Sequence, residues 1–515
     1  MKERHVVTSF LIYTKGNEES KLLLLKRSDK VSTYQNFWAG ISGGIETNDS
    51  SPFERALKEI QEETSLSFND LTLIRIGKSL TILAENLQIV WKVYPFLFRI
   101  NLQSSINKIQ IDWEHQTYEW IKPSELTNYE CVPNLLETLY RVYLPSRVHK
   151  GLNDLFKDRS SGAQELSTKA LDILKEGIIN KEYRKISKNA FELWKNWLNI
   201  GWHLVQIRPN MKASISFSIV NVLKRCKEIL QDRGEITFEE FENIGIDIIN
   251  QMKTSFKENE EKIKKNFLKA LFPYFEEKQK QLLKNKNIHI ITLSYSSTIY
   301  LSLCSLIQKF IDHHSTLSKE EDHNTSSLTI TIMESRPLNE GVTLAQKLSL
   351  LLPTSSSTSD IYNKICIQII TDVSCNYFMP SVTHVLFSAD HISGNNGDII
   401  NKIGSLSLTL SAKYFNKPVY IISSSNKIAS TLEEEKEEND SIELTNSYGQ
   451  YWINSIKGKN VLVRNIYFEM VESKFINGYI MEIEGDNNSI VDISKIKELW
   501  NQRKDTEKIF DELEM

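Results

Sequence analysis

Neither sign of charge dominates this sequence. Lys and Arg number 62, Asp and Glu 66, and the formal net charge is -4. No overall field pulls such a chain toward nucleic acid or an anionic membrane. Any anion must be held by local sites. Cysteine is scarce. Cys131, Cys226, Cys304, Cys366 and Cys375 form an odd, widely spaced set without a C-x-x-C pair. That argues against a disulfide framework and a structural zinc site, and makes a reducing, cytoplasmic setting the expected one. No apolar run approaches the ~18 residues of a membrane span. Lys2 and Arg4 precede a short apolar stretch, but no small-residue cleavage site follows. Val6–Tyr13 therefore reads as a first strand and not as a signal peptide. No internal repeat is found.

What is present is a chain of 515 residues, 40% apolar and 25% charged. That composition is globular, and the length suits roughly two to four domains. Three regions are expected, 1–145, 146–286 and 287–515. In the first, period-two patterns predict strands at Val6–Tyr13, Lys21–Leu25, Leu73–Ile76, Ile89–Phe98 and Thr117–Trp120, with one strong helix from Pro52 to Glu63. The second is wholly helical, with apolar residues recurring every three or four positions through Leu171–Ile179, Ala190–His203, Ile215–Leu230 and Phe256–Leu283. Trp194, Trp197 and Trp202 there read as core. In the third, short β-rich runs (Ile288–Leu293, Leu328–Met333, Ile365–Thr371, His384–Phe387, Val419–Ile422) alternate with helical stretches. That alternation predicts a doubly wound parallel sheet. The serine run Pro353–Asp360 and the acidic run Glu433–Asp440 read as solvated loops.

The segment Phe37–Leu66 carries the first chemistry. Ser51-Pro52-Phe53-Glu54 is a capping box with proline at the first helical position. Glu59, Glu62 and Glu63, spaced by three and four, share one face of that helix. Clustered hard oxygen donors of this kind suit magnesium or manganese. Gly43 and Gly44 stand ahead of the helix and permit a tight turn with close backbone approach.

Together with Trp38, this pattern resembles the Nudix box, G-x5-E-x7-R-E-U-x-E-E-x-G-U with U aliphatic, laid from Gly44 to Leu66. Glu59, Ile60, Glu62, Glu63 and Leu66 match, while Ser50, Lys58 and Ser65 stand where Glu, Arg and Gly are expected. Lysine lacks the guanidinium fork. Leu22–Ser28 and Glu114–Leu126 resemble further strands of the family. The resemblance spans about residues 1–142 and implies an α/β/α sandwich. It also implies hydrolysis of a nucleoside diphosphate linked to another group. Glu59, Glu62 and Glu63 would hold the metal, Lys58 would stand in the catalytic box, Glu63 or a loop carboxylate would act as general base, and Glu114 would be an extra ligand.

The second constellation lies at strand–loop–helix junctions. Ile288–Leu293 runs into Ser294-Tyr295-Ser296-Ser297. His384–Phe387 runs into Asp390 and a glycine-rich loop, with a helix expected near Asn401. Such junctions offer anion sites at helix starts and strand ends; ordinary N-capping explains them equally. With MESRPLNEG (Met333–Gly341), SGAQEL (Ser161–Leu166) and RPNMKAS (Arg208–Ser214), these strings resemble the superfamily of the initiation factor 2B α, β and δ subunits and two sugar-phosphate isomerases. The match spans roughly 150–485 and implies a helical region leading into a Rossmann-like sheet that assembles with other copies or with initiation-factor-2B-like partners. Asp390 matches the isomerases' catalytic Asp. Ser294 stands at their catalytic Cys, and a hydroxyl is far less acidic than a thiol. Ser161-Gly162-Ala163 lacks their arginine, with Arg159 nearby. Arg208, Arg336, Asp390, Asn401 and Lys402 remain as candidates for a phosphorylated ligand. Three functions are thus carried forward: a magnesium-dependent hydrolase with a binding or assembly module, a non-enzymatic regulator, and a sugar-phosphate isomerase.

Overall fold

The computed structural model describes residues 1–15, 19–158, 161–208, 211–272, 287–315, 326–352, 361–429, 438–456, 458–483 and 489–514. Arg159, the run 353–360 and residues 433–437 lie outside them.

Eight strands build the amino-terminal sheet: β1 (Lys2–Tyr13), β2 (Lys21–Arg27), β3 (Trp38–Ala39), β4 (Ile41–Gly44), β5 (Leu71–Ile76), β6 (Leu80–Ala84), β7 (Ile89–Ile100) and β8 (His115–Ile121). The order is β3-β2-β1-β7-β5, with β4 added to β1, β6 to β7 and β8 to β2. β1 and β7 pair in parallel from Lys2↔Ile89 to Ile12↔Arg99. Alternation along β1 divides the core. Val7 and Leu11 pack with Ala56 and Ile60 of helix α1 (Pro52–Thr64), whereas Phe10 and Ile12 pack with Leu135 and Leu139 on the other face. The sheet is therefore covered on both sides. β6 is absent from the expected strands, because its period-two alternation breaks at Leu83.

Helices Ser146–Lys157, Ala163–Ile178, Ala190–Gln206, Lys212–Arg233 and Phe238–Leu271 share one apolar core. Trp194 and Trp197 are fully buried in it, and Trp202 packs at its margin. Trp197 stacks on Phe241 with centroids 4.5 Å apart. The indole N–H of Trp194 donates to the Leu223 carbonyl at 3.0 Å, as a buried donor requires.

The carboxyl-terminal strands are β9 (Asn287–Leu293), β10 (Ser327–Met333), β11 (Ile365–Ile370), β12 (His384–Phe387), β13 (His391–Ser393), β14 (Ile399–Lys402), β15 (Val419–Ile422), β16 (Ile428–Ala429), β17 (Phe468–Val471) and β18 (Gly478–Ile480). Six of them form a sheet in the order β11-β10-β9-β12-β15-β18, with every pair parallel. The chain reverses its winding between β9 and β12, so a crevice is expected beyond their carboxyl ends. Ser294 follows β9 and Asp390 follows β12.

One expectation is corrected here. The glycine-rich loop after Asp390 does not lead into a helix at Asn401. It is a β-hairpin, β13–β14, within a small sheet ordered β16-β13-β14-β17. Asn401 and Lys402 are strand residues opposite Glu469 and Phe468, and the helix starts only at Ser405. Ladder partners lying more than sixty positions downstream override the local helical signal.

The carboxyl end closes the molecule. Phe510 and Leu513 of the segment Thr506–Leu513 are buried in the helical core. Asp511 pairs with Lys78 at 3.0 Å, and the Glu514 carbonyl accepts from the Thr81 N–H of β6 at 3.0 Å. Leu513→Ala is expected to lower stability by about 3 kcal/mol through the cavity it leaves. Lys78→Ala, which removes pairs whose acid partners Asp511 and Glu514 are open to solvent, is expected to cost less than about 1 kcal/mol. Denaturant titration reads both, and equal effects would contradict apolar docking of this segment.

Candidate active site

Helix α1 is set by its caps. Ser51 accepts from the Glu54 N–H at 3.2 Å, and Pro52 opens the first turn. Ser65 ends the helix in the left-handed region at φ 62, its N–H donating to the Gln61 carbonyl at 2.9 Å. This geometry is why glycine is the expected residue there.

The buried side of α1 presents Glu59 and Glu63, 6% and 3% exposed. Glu62 on the same face is open to solvent. Glu63 accepts from the Ser42 N–H at 3.0 Å through one oxygen. Its other oxygen has no hydrogen-bond partner and lies 3.5 Å from His115 Nε2. Burial pushes the Glu63 carboxyl well above the usual range, and the charges of Glu59, Glu114 and Asp112 push the same way. Glu59 is also raised by burial, against the pull of Arg55. Glu114 is raised by burial and by Asp112. Burial lowers His115, whose Nδ1 lies 3.1 Å from Asp112.

The two glycines differ. A Cβ on Gly43 would fall 1.5 Å from Glu59 Oε1, whereas one on Gly44 meets nothing within 4 Å. Gly43 therefore lets the Glu59 carboxylate lie flush on the backbone of the turn.

Two cations serve this helix. Arg55 donates through Nε to Glu59 at 2.6 Å and stands 3.5 Å from Glu46 and 3.8 Å from Glu62. It fills the space between the carboxylates. Among the described residues, no three carboxylate or imidazole groups stand gathered about a common point where an ion would bind. Lys58 faces elsewhere, pairing with Asp49 at 2.8 Å and Glu54 at 2.9 Å. Ser50 donates to the same Glu54, which these contacts hold down to about 2. The loop ahead of α1 is thus tied to the helix through Lys58, Asp49 and Glu54, without the guanidinium fork. Sequence reasoning missed Arg55, Asp49 and His115. Arg55 was readable as the residue four before Glu59. His115 comes to the site only through the β2–β8 pairing.

The cavity beside this cluster has a volume of about 840 Å³ and reaches from Gly43, Glu46 and Glu114 to Arg4, Tyr34 and Trp91.

At the second constellation Asp390 and Lys402 lie within electrostatic reach of each other. Lys402 pairs with Glu340 at 2.5 Å and lies 4.1 Å over the Tyr467 ring. Burial raises Asp390, against the pull of Lys427 and Lys402. Lys427, missed in the sequence, donates to the Ala389 carbonyl at 2.6 Å. The Asn401 amide donates to Ser405 at 2.8 Å. Glu469 accepts from the Gly404 and Leu406 N–H groups at 2.6 and 2.9 Å, capping the helix start. Ser294, with φ 59, donates from its N–H to Ser335 at 2.6 Å. Arg336 donates from its guanidinium to Ser447 at 2.5 Å and from its backbone N–H to Asp372 at 2.9 Å. Arg208 donates to the Asp158 carbonyl.

Ser65→Gly is expected to stabilise the protein by about 1 kcal/mol, by relieving the left-handed backbone of a residue bearing a Cβ. A denaturation midpoint that stays put or falls would contradict that cap geometry.

Residues 159–485 match the Initiation factor 2 subunit family, and residues 3–142 match the NUDIX domain. A methylthioribose-1-phosphate isomerase of Schizosaccharomyces japonicus is 36% identical over 99 residues, 19% of this chain and 24% of that protein. The methylthioribose-1-phosphate isomerase of Populus trichocarpa is 27% identical over 175 residues, 33% of this chain and 43% of its own. The chain thus spans less than half the length of these curated relatives. The tetrameric eIF2B-beta2-delta2 complex from C. thermophilum aligns over 71% of this chain and 97% of that one, at 12% identity and a TM-score of 0.47. No described helix is long and apolar enough to cross a membrane. With well over half its length under one family match, this chain belongs to the initiation factor 2 subunit family and carries a NUDIX domain at its amino-terminal end.

Proposed function

We propose that the amino-terminal part is a hydrolase of a nucleoside diphosphate-linked or related phosphate compound. Magnesium or manganese would be held by Glu59, Glu62 and Glu63, with Glu114 as a further ligand. The observation that carries this reading is Glu63, buried beside Glu59 under the Gly43 turn with one carboxylate oxygen unpartnered. The donors are all hard carboxylate oxygens, the chemistry such an ion takes. Arg55 would have to give way, because it stands between them and, among the described residues, they meet at no common point. When bound, the ion supplies charge neutralisation at phosphate oxygens and a more acidic water.

The chain's own residues set the rest. The Ser42 N–H orients Glu63. Gly43 seats Glu59. Arg55 balances the carboxylates' charge while they stand together. Lys58 acts as a positioning residue, holding the loop by way of Asp49 and Glu54. Glu63 or Glu46 on the loop would take the proton from the attacking water.

For the carboxyl-terminal part we propose a binding or assembly role: holding a phosphorylated ligand, or pairing with a second copy or an initiation-factor-2B-like chain. The observation that favours this over isomerase chemistry is Ser294 in place of a thiol, together with Glu469 already seated on the helix start behind Lys402.

Incubation with magnesium and a panel of nucleoside diphosphate derivatives tests the first reading. Turnover is expected, lost on chelation and lowered about 10²–10⁴-fold in Glu63→Gln. No turnover, or an unaffected Glu63→Gln, removes it. Gly43→Ala is expected to lower turnover at least about tenfold by displacing the Glu59 carboxylate, with little change in unfolding midpoint. Gly44→Ala is expected to change neither. Equal losses at both glycines would contradict the seating role. For the second reading, sedimentation is expected to find an assembly; a strict monomer that also binds no phosphorylated sugar would remove it.

A further inference from the structure

The wall of the cavity away from the glutamates is one face of the sheet, fixed by register. Trp91 on β7 is paired with Arg4 on β1 and with Ile82 on β6. Directly opposed residues share a face, so Ile82, Trp91 and Arg4 stand in a row across three strands. Two residues further along, Val93 is paired with Val6, and Val6 with Gly44. All of these line the cavity. At ~3.4 Å per residue and ~4.8 Å per strand, the backbone at Trp91 lies on the order of 12 Å from Gly44, where the turn to α1 begins. A nucleotide with its phosphates bridges such a span, and a bare phosphate does not.

The chemistry of the row is specific. Trp91 offers a large aromatic surface among Ile82, Val93 and Val6. The Arg4 guanidinium lies 5.8 Å from the Trp91 ring centroid. A cation at this distance is attracted to the face of the indole. Tyr34, from the loop after β2, lines the cavity as well. An aromatic floor with a cation beside it accepts a flat, electron-rich ring, and base-on-aromatic stacking is indifferent to which base is presented.

We propose that the Ile82–Trp91–Arg4 row is the platform for the non-reacting arm of the substrate, and that Trp91 selects diphosphates bearing a planar aromatic ring over ring-free ones. The proposal rests on the hydrolase reading above and names the residue that would set its specificity. The backbone at Trp91 lies on the order of 12 Å from the glycine turn, so its effect is on binding and not on the bond-breaking step.

The test uses the full chain with magnesium, and Trp91→Ala beside Trp91→Phe. The substrates are a nucleoside diphosphate sugar and an alkyl diphosphate without a ring. Trp91→Ala is expected to raise KM for the ring-bearing compound about tenfold or more, with kcat little changed. KM for the alkyl compound is expected to stay the same, and Trp91→Phe to recover most of the loss. A second readout is calorimetric binding of a methylene-bridged, non-hydrolysable nucleoside diphosphate, which is expected to weaken by the same factor. Turnover with equal KM in wild type and Trp91→Ala overturns the platform and leaves the hydrolase reading standing. Analogue binding that depends on Trp91, without turnover of any compound, supports the platform and removes the hydrolase reading. A Trp91→Phe chain as impaired as Trp91→Ala, with an unchanged unfolding midpoint, overturns the stacking role.

Discussion

The parallel pairing of β1 with β7 is the constraint on which the amino-terminal half depends. Its register runs unbroken from Lys2 to Ile12. Because side chains alternate along a strand, a slip of one residue would exchange the two faces. Val7 and Leu11 would leave the α1 side, and Phe10 and Ile12 would enter it. The same register sets Arg4 beside Trp91 and lets β4 bring Ser42, Gly43 and Gly44 against β1. The candidate site is built on that edge, so its floor and its glycine turn share one cause.

Charge at the site is a balance of burial against pairing. Glu59 and Glu63 lie in a low-dielectric position where their charged forms are disfavoured. Arg55 offsets this for Glu59. The Ser42 N–H does so for Glu63, and at both carboxyls burial prevails. Keeping two neighbouring carboxylates buried with so little compensation is costly to a fold. Such an arrangement is more often found where function uses it. Around Lys58 the balance is the reverse. Lys58 and Glu54 are accessible while the Asp49 side chain is covered, and Lys58 pairs with both acids, an arrangement suited to holding a loop in place.

The helical and amino-terminal parts are joined by more than a linker. His203 bonds the Arg141 carbonyl at 2.7 Å, and Asn199 donates to the Tyr140 carbonyl at 2.9 Å. The carboxyl-terminal segment inserts Phe510 and Leu513 into the helical core while its last described residue, Glu514, bonds the edge of β6. Ile82 of that same strand lines the cavity. The wall of the candidate site is therefore held partly by the far end of the chain.

Much of this was legible locally. The capping box and proline set the start of α1, because caps act within one turn. The spacing of Glu59 and Glu63 set the buried side of α1, while Glu62 came to lie in solvent. Alternating strands and helices set the doubly wound sheet, and Trp194 and Trp197 fell in the core as their helical spacing required. Other features were decided only by tertiary contacts. Whether Gly43 or Gly44 mattered depended on where the Glu59 carboxylate came to lie. Lys58 turned from the carboxylate cluster to Asp49, since a flexible ammonium follows its nearest acid. Asn401 and Lys402 became strand residues through pairing with β17, a ladder no local window contains. His115, Trp91 and Lys427 joined their sites through strand register and loop closure. Local propensity and periodicity are properties of neighbouring residues, whereas burial, register and charge pairing exist only once distant segments meet.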